Sequence, residues 1–342
     1  MLLQITHQTR YDYQPMVEVA QHMAYLQPLQ HPSQQLLAHQ LTVSPEPTRK
    51  SVTTDVYGNA RCFFALQTPH AVLDVQAMSI VRTSASALPV SALAWKVQRE
   101  RLHYQAGQPY DPASEFVFAS PFVPRHADFV DYAQPSLLPG ATVLEVAVHL
   151  MERIHHDFVY ESNSTEINTP ALEALAQRKG VCQDFAHIML ACLRAAGLPA
   201  RYVSGYLLTL PPPGQVKLLG SDASHAWVSV YVADLPEGLQ WVDLDPTNNR
   251  WGWYAPGEDY VTLATGRDFG DVSPLRGVLH GGAGHTLTVA VTVADIEGDN
   301  SGTAPPPEQA TGSQSQTQSQ GSGQSQSQSQ SQSQSQSQNT IN

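Results

Sequence analysis

The sequence predicts an α+β chain in which a strand-rich first part leads into a mixed part of helices and strands. Three observations carry this. Up to about residue 105, short alternating runs bounded by turn residues recur at roughly ten-residue spacing, the pattern of a β-sandwich. Beyond about residue 140, apolar residues return at helical spacing and alternating runs follow them. From about residue 296 apolar residues almost vanish, and Ser-Gln repeats run from Ser313 to Gln338. The expected organisation is an N-terminal β-rich domain (1–105), a proline-rich connection (106–140), a core (141–295) and a disordered Ser/Gln-rich tail (296–342). In the tail nothing offsets the entropy of ordering the chain.

Within the first part, residues 3–11 alternate as a strand, residues 40–44 stop at Pro45-Glu46-Pro47, and the turn at 55–59 leads into a strand over 60–66. Prolines 109, 112, 121, 124, 135 and 139 punctuate the connection. Thr142 caps a helix through about His155, with Leu144, Val148, Met151 and Ile154 on one apolar face and His155 and His156 at the negative end of its dipole. Thr169-Pro170 opens a second helix that ends near Arg178.

Gly180 breaks the chain before a third helix. From Cys182, the residues Phe185, Met189, Cys192 and Ala196 keep helical spacing, and Gly197 and Pro199 stop it. Cys182 therefore lies in the first turn, where N–H groups lack intrahelical partners and the dipole adds partial positive charge. That place favours thiolate and can hold an oxyanion. Taken alone, the residue also reads as a small buried side chain.

Residues 201–208 form a strand, and the loop with Pro211-Pro212-Pro213-Gly214 would border a cleft. Residues 224–232 and 239–247 alternate as two further strands around a turn at 233–238. Antiparallel pairing centred near Pro236 brings His225 opposite Asp245 or within a residue or two of it. Asp243 shares the face of Asp245 and is its rival. Asp245 is favoured because it is nearer the strand end that carries His225. The aromatics at Trp251, Trp253 and Tyr254 read as packing, and a strand over 286–293 is expected to complete the core sheet.

A cysteine at a helix start, then a histidine, then an aspartate on adjacent strands supply what thiol acyl transfer needs: a nucleophile, a base that later acts as acid, and a group that fixes the imidazole. His155, His156, Cys182, His187 and Cys192 raise a zinc alternative. No C-x-x-C or H-E-x-x-H spacing supports it, and two cysteines ten apart on one helix are about 15 Å apart in rise. No calcium loop is present either. We expect neither metal nor cofactor.

The segments Gly180-Val181-Cys182-Gln183-Asp184-Phe185-Ala186, His225-Ala226-Trp227-Val228-Ser229-Val230-Tyr231 and Trp241-Val242-Asp243-Leu244-Asp245-Pro246-Thr247-Asn248 resemble the three core motifs of the transglutaminase-like superfamily. The resemblance implies a papain-like core with Cys182 as nucleophile, His225 as base and Asp245 as orienter. Tyr11 and Tyr13, Leu26-Gln27-Pro28 and Asp55-x-x-Gly58-Asn59 resemble the N-terminal region that accompanies bacterial cores of this kind. Gln183 and Tyr160 are the candidates for a second oxyanion donor, Tyr160 because aromatic donors precede the nucleophile in related enzymes.

The expected activity is acyl transfer from a peptide or isopeptide amide of a protein or peptide substrate, through a thioester on Cys182. Hydrolysis is favoured, since bacterial members with such an N-terminal region are usually described as cysteine proteases. A transglutaminase or deamidase shares the same three residues. A non-catalytic scaffold is the alternative of another class, and the filled Cys, His and Asp positions weigh against it. Three cysteines are too few and too odd for a disulfide framework, the start lacks a secretory signal, and no apolar run spans a membrane, so a reduced cytoplasmic setting is expected. A net charge of −12 argues against general nucleic-acid binding.

Overall fold

The computed structural model describes residues 1–85, 88–103, 105–107, 109–161, 169–209, 224–282 and 284–297. The loop at 211–214 and all but the first residues of the expected tail lie outside the described residues. A first sheet is built on one long strand, β1 (Leu2–Ala24), with β2 (Gln34–Ser44), β3 (Arg49–Thr54), β4 (Ala60–Leu66) and β5 (His70–Thr83) in the order β2-β5-β1-β4-β3. The early part of β1 pairs with β5 and its end pairs with β4, with the register broken between Asp12 and Val17. Tyr11, Val17 and Ala24 of β1 share one apolar cluster with Leu41, Phe64, Leu73 and Val75. Where strand spacing predicts a sandwich, these strands form a single hydrogen-bonded network running through β1. Periodicity counts strands and does not reveal that one strand serves both wings.

A short helix α1 (Trp95–Arg101) precedes the connection, and α2 (Ala127–Ala133) lies within it. Next comes α3 (Val143–Asp157), closed by a reciprocal cap in which Glu145 N–H donates to Thr142 Oγ1 at 3.2 Å and Thr142 N–H donates to Glu145 Oε2 at 2.7 Å. Its buried stripe is wider than the sequence face, with Ala147 and Leu150 inside and Val148 half-buried. Then follow β6 (Val159–Tyr160), α4 (Ala171–Gln177), β7 (Lys179–Gly180) and α5 (Cys182–Ala195). The second sheet is antiparallel: β8 (Ala200–Leu207), β9 (Ser224–Tyr231), β10 (Trp241–Asp245), β11 (Arg250–Trp253) and β12 (Tyr260–Gly266), in the order β11-β10-β9-β8-β12. Phe185, Ile188, Met189 and Leu193 of α5 pack with Val228, Val230, Val242 and Leu244 of that sheet.

After the short α6 (Phe269–Val272), β13 (Leu275–Gly281) and β14 (Gly284–Asp295) turn back to β1. This corrects the expectation that residues 286–293 complete the core sheet: β14 pairs with β1 from Leu3↔Asp295 to Gln14↔Gly284. Alternation identifies a strand but not its neighbour, and β1 offered an edge along its whole early half.

Two buried amides tie the sheets together. Gln34 Nε2 donates to Thr262 O and Gln34 Oε1 accepts from Thr262 N–H, both at 2.8 Å. Asn59 makes the same pair of bonds, also at 2.8 Å, with the backbone of Thr265. Asp55 in turn accepts from the Asn59 side chain at 2.8 Å and from its backbone N–H at 2.9 Å. The outer edge of β12, at the end of its sheet, is thus closed by side chains of the first domain.

Candidate active site

The entry to α5 is held by its own first turn. Gly180 lies beside Tyr160 in the parallel β6–β7 pair, and Val181 N–H donates to the buried Asp184 carboxylate at 2.8 Å. A side chain at 180 would put Cβ 2.6 Å from Asp184 Oδ2, so the motif glycine makes room for this cap. Cys182 is left as the first residue of the helix, partly exposed, while Cys62 and Cys192 are buried.

The β9–β10 register pairs Leu244 with Val228 and Asp243 with Ser229, so Asp245 is diagonal to His225. His225 Nε2 and Asp245 Oδ2 are 2.7 Å apart, with the imidazole 10% exposed and the carboxylate fully buried. Four further bonds reach that carboxylate. Tyr260 O–H and Asn248 Nδ2 each donate to Oδ2 at 2.7 Å, and the N–H groups of Thr247 and Asn248 donate to Oδ1 at 2.8 and 3.3 Å. With Nε2 on Asp245, Nδ1 is free of the carboxylate, and Cys182 adds to the upward pull on the imidazole.

Burial opposes charge on both partners, but their mutual field and bonds prevail. His225 is pushed up to about 10 against its desolvation, by Asp245 and then by Cys182. Asp245 is held below the ordinary carboxylate range in spite of burial, by His225, Asn248 and Tyr260. Both shifts favour the charged pair, an imidazolium beside a carboxylate.

Residues 3–82 match the bacterial transglutaminase-like N-terminal region, and residues 131–246 match the transglutaminase-like superfamily. An uncharacterised protein of Mycobacterium tuberculosis is 40% identical over 298 residues, covering 86% of this chain and 93% of its own length. The chain belongs to the transglutaminase-like superfamily. The crystal structure of a candidate cysteine protease from Cytophaga hutchinsonii shares the fold, with a TM-score of 0.65 at 21% identity over 89% of this chain and 93% of that one. A protein-glutamine gamma-glutamyltransferase of Pseudomonas aeruginosa is 32% identical over 120 residues, which is 34% of this chain and 16% of that protein.

In this transglutaminase-like chain Asp243 is not the rival that its parity suggested. Its Oδ2 accepts from Trp227 Nε1 at 2.8 Å. The same diagonal offset that gives Asp245 to His225 gives Asp243 to Trp227, so one residue pair is the next step of the other. Trp227 lies 6.0 Å from the His225 ring, and Gly205 leaves it space, since a Cβ there would sit 2.4 Å from the indole.

Tyr160 is 52% exposed and edge-on to Phe185. It pairs with Gly180, two residues before Cys182, and its phenol is pushed up to about 12 by desolvation, then by the charges of Cys182, Asp184 and Asp245. Gln183 occupies the first turn of α5, half-buried. The side chains of the zinc alternative disperse. His187 is buried between Phe122 and Tyr202, Cys192 is sealed in the core, and His155 Nδ1 lies 3.0 Å from Thr247 O.

Sequence reasoning missed Tyr260 and Asn248. Asn248 follows the Asx turn that the Thr247 N–H closes on Asp245, a signal readable from Asp-Pro-Thr-Asn. Tyr260 comes from another strand, and nothing local marks it.

Proposed function

We propose that this protein is a thiol acyl-transfer enzyme that hydrolyses amide bonds of peptide or protein substrates. The convergence of Cys182, His225 and Asp245 carries the reading. In it, the Cys182 thiolate adds to the substrate carbonyl carbon, and the carbonyl π electrons move to oxygen. As the C–N bond breaks, His225 gives its proton to the leaving amine and a thioester remains. Water then attacks that thioester, His225 takes its proton, and the thiolate departs with the acid released. Asp245 holds the imidazole in orientation throughout. The oxyanion is assigned to the Cys182 N–H and, as second donor, the Tyr160 hydroxyl, which keeps its proton and is preferred over Gln183.

The similarity to the Pseudomonas glutamyltransferase supports a second reading, in which an amine takes the place of water. Incubation with a peptide library, with and without a primary amine, separates them by mass. Cleavage or deamidation whether or not amine is added supports hydrolysis, and products that gain the amine with loss of ammonia support transfer. If the wild type gives no product, or Cys182→Ala gives the same products, the enzymatic reading falls.

A further inference from the structure

A cavity lies where the first domain meets the core sheet, on the sheet face that carries His225 and Asp245. Arg201, Ser229 and Asp243 are paired neighbours across β8, β9 and β10, and the period of two along β9 and β10 puts them on the side of His225 and Asp245. The cavity measures about 190 Å³, and its walls include Leu29, His31, Arg201, Trp241, Tyr254 and Thr262. Gln30 and Gly238, both exposed, reach its rim. Along β9 the fully buried Trp227 separates it from His225.

Several of its polar atoms have no hydrogen-bond partner. The Arg201 guanidinium lies 4.2 Å over the Trp241 ring, its Nε has no hydrogen-bond partner, and among the described residues no carboxylate is within ion-pair distance of it. Burial lowers this group to about 10 against the field of Asp243, so it is still a cation at neutral pH. Both ring nitrogens of His31 are buried without partners, and the ring is stacked on Tyr254 at 5.3 Å. His31 is lowered to about 4 by burial and by Arg201, leaving a neutral ring with one N–H. The Thr262 hydroxyl is unpartnered on a residue only 4% exposed. Tyr254 has φ 64, in the left-handed region rare for a bulky residue, and its hydroxyl donates to Gly238 O at 2.9 Å. Unpaired buried donors of this kind are unfavourable when nothing answers them.

We propose that this cavity binds a small monocarboxylate, with its oxygens on the Arg201 guanidinium and the Thr262 hydroxyl and a short apolar tail against Trp241 and Tyr254. The guanidinium edge matches a planar carboxylate, and its face is already covered by the indole. Asp243 also lines the cavity, which disfavours a dianion such as phosphate. At about 190 Å³ the cavity is of small-molecule size, and butyrate serves as the probe.

The full chain is titrated with sodium butyrate at constant ionic strength set by sodium chloride, followed by calorimetry and by thermal unfolding. Saturable binding with a rise in Tm is expected. Affinity should fall about tenfold or more in Arg201→Gln, by loss of a charge-assisted pair, and severalfold in Thr262→Val, which keeps the side-chain shape. Inorganic phosphate should bind more weakly than butyrate. Absence of saturable binding at tens of millimolar, phosphate binding as tight as butyrate, or butyrate affinity unchanged in Thr262→Val would each overturn the site. The last outcome holds whether or not Arg201→Gln folds.

Discussion

Asp243 and Asp245 are two residues apart on one strand face, yet one accepts the Trp227 indole N–H and the other the His225 imidazole. Asp245→Asn should lower turnover by about 10³–10⁴-fold, because the imidazolium loses its counter-charge and its fixed tautomer. Asp243→Asn should cost far less, since it acts on His225 only through Trp227. Parallel kcat/KM measurements of the two variants check this, and equal losses would contradict the assignment. At this scale the sequence was informative where chemistry and register coincide. Cys182 could be chosen because it opens a helix, and His225 and Asp245 because a hairpin centre fixes which strand positions meet. Tyr260 could not, because its contact with Asp245 depends on how β12 aligns across β8, and no turn residue between them declares that register.

Helix α5 and strand β12 are placed by opposite means, one by its own first turn and the other by a neighbouring domain. In Gly180→Ala the new methyl meets Asp184, and the strained cap should cost about 1–3 kcal/mol in urea unfolding, with turnover reduced through the displaced Cys182. Unchanged stability and turnover would show that the glycine is incidental. Asn59→Leu strips Thr265 of both partners and leaves buried backbone groups unpaired, a loss of about 2–5 kcal/mol by the same measurement. A loss under about 0.5 kcal/mol, the size of an ordinary surface change, would refute the clamp. Helix limits were legible because Thr142, Gly180, Gly197 and Pro199 are local punctuation. The partner of β14 and the amide pairs of Gln34 and Asn59 were not, since they join residues separated by most of the chain.

Across the whole molecule, the ion pair of His225 and Asp245 ties stability to pH. Asp245 is lowered, so its contribution is present above the unfolded value near 3.9 and is lost as pH falls through the folded one. His225 is raised to about 10, so its contribution is complete below the unfolded value near 6.5 and is lost as pH rises through the folded one. The difference in unfolding free energy between wild type and His225→Gln should therefore be greatest from about pH 4 to 6.5 and shrink on both sides. A difference independent of pH would mean that the two groups do not share charge in the folded state. The division into a strand-rich first part and a mixed core was readable from periodicity alone. The return of β13 and β14 to the first sheet makes the domains interdependent in a way that composition does not record.

The proposed pairing of sulfur and imidazole is most directly tested by iodoacetamide labelling at pH 6, where an ordinary cysteine is almost wholly thiol and reacts slowly. Burial raises the Cys62 thiol and pushes that of Cys192 up to about 12, so neither should compete. Selective alkylation of Cys182, slowed at least about tenfold in His225→Ala, is the predicted result. Equal labelling of the three cysteines, or a Cys182 rate indifferent to His225→Ala, would contradict it.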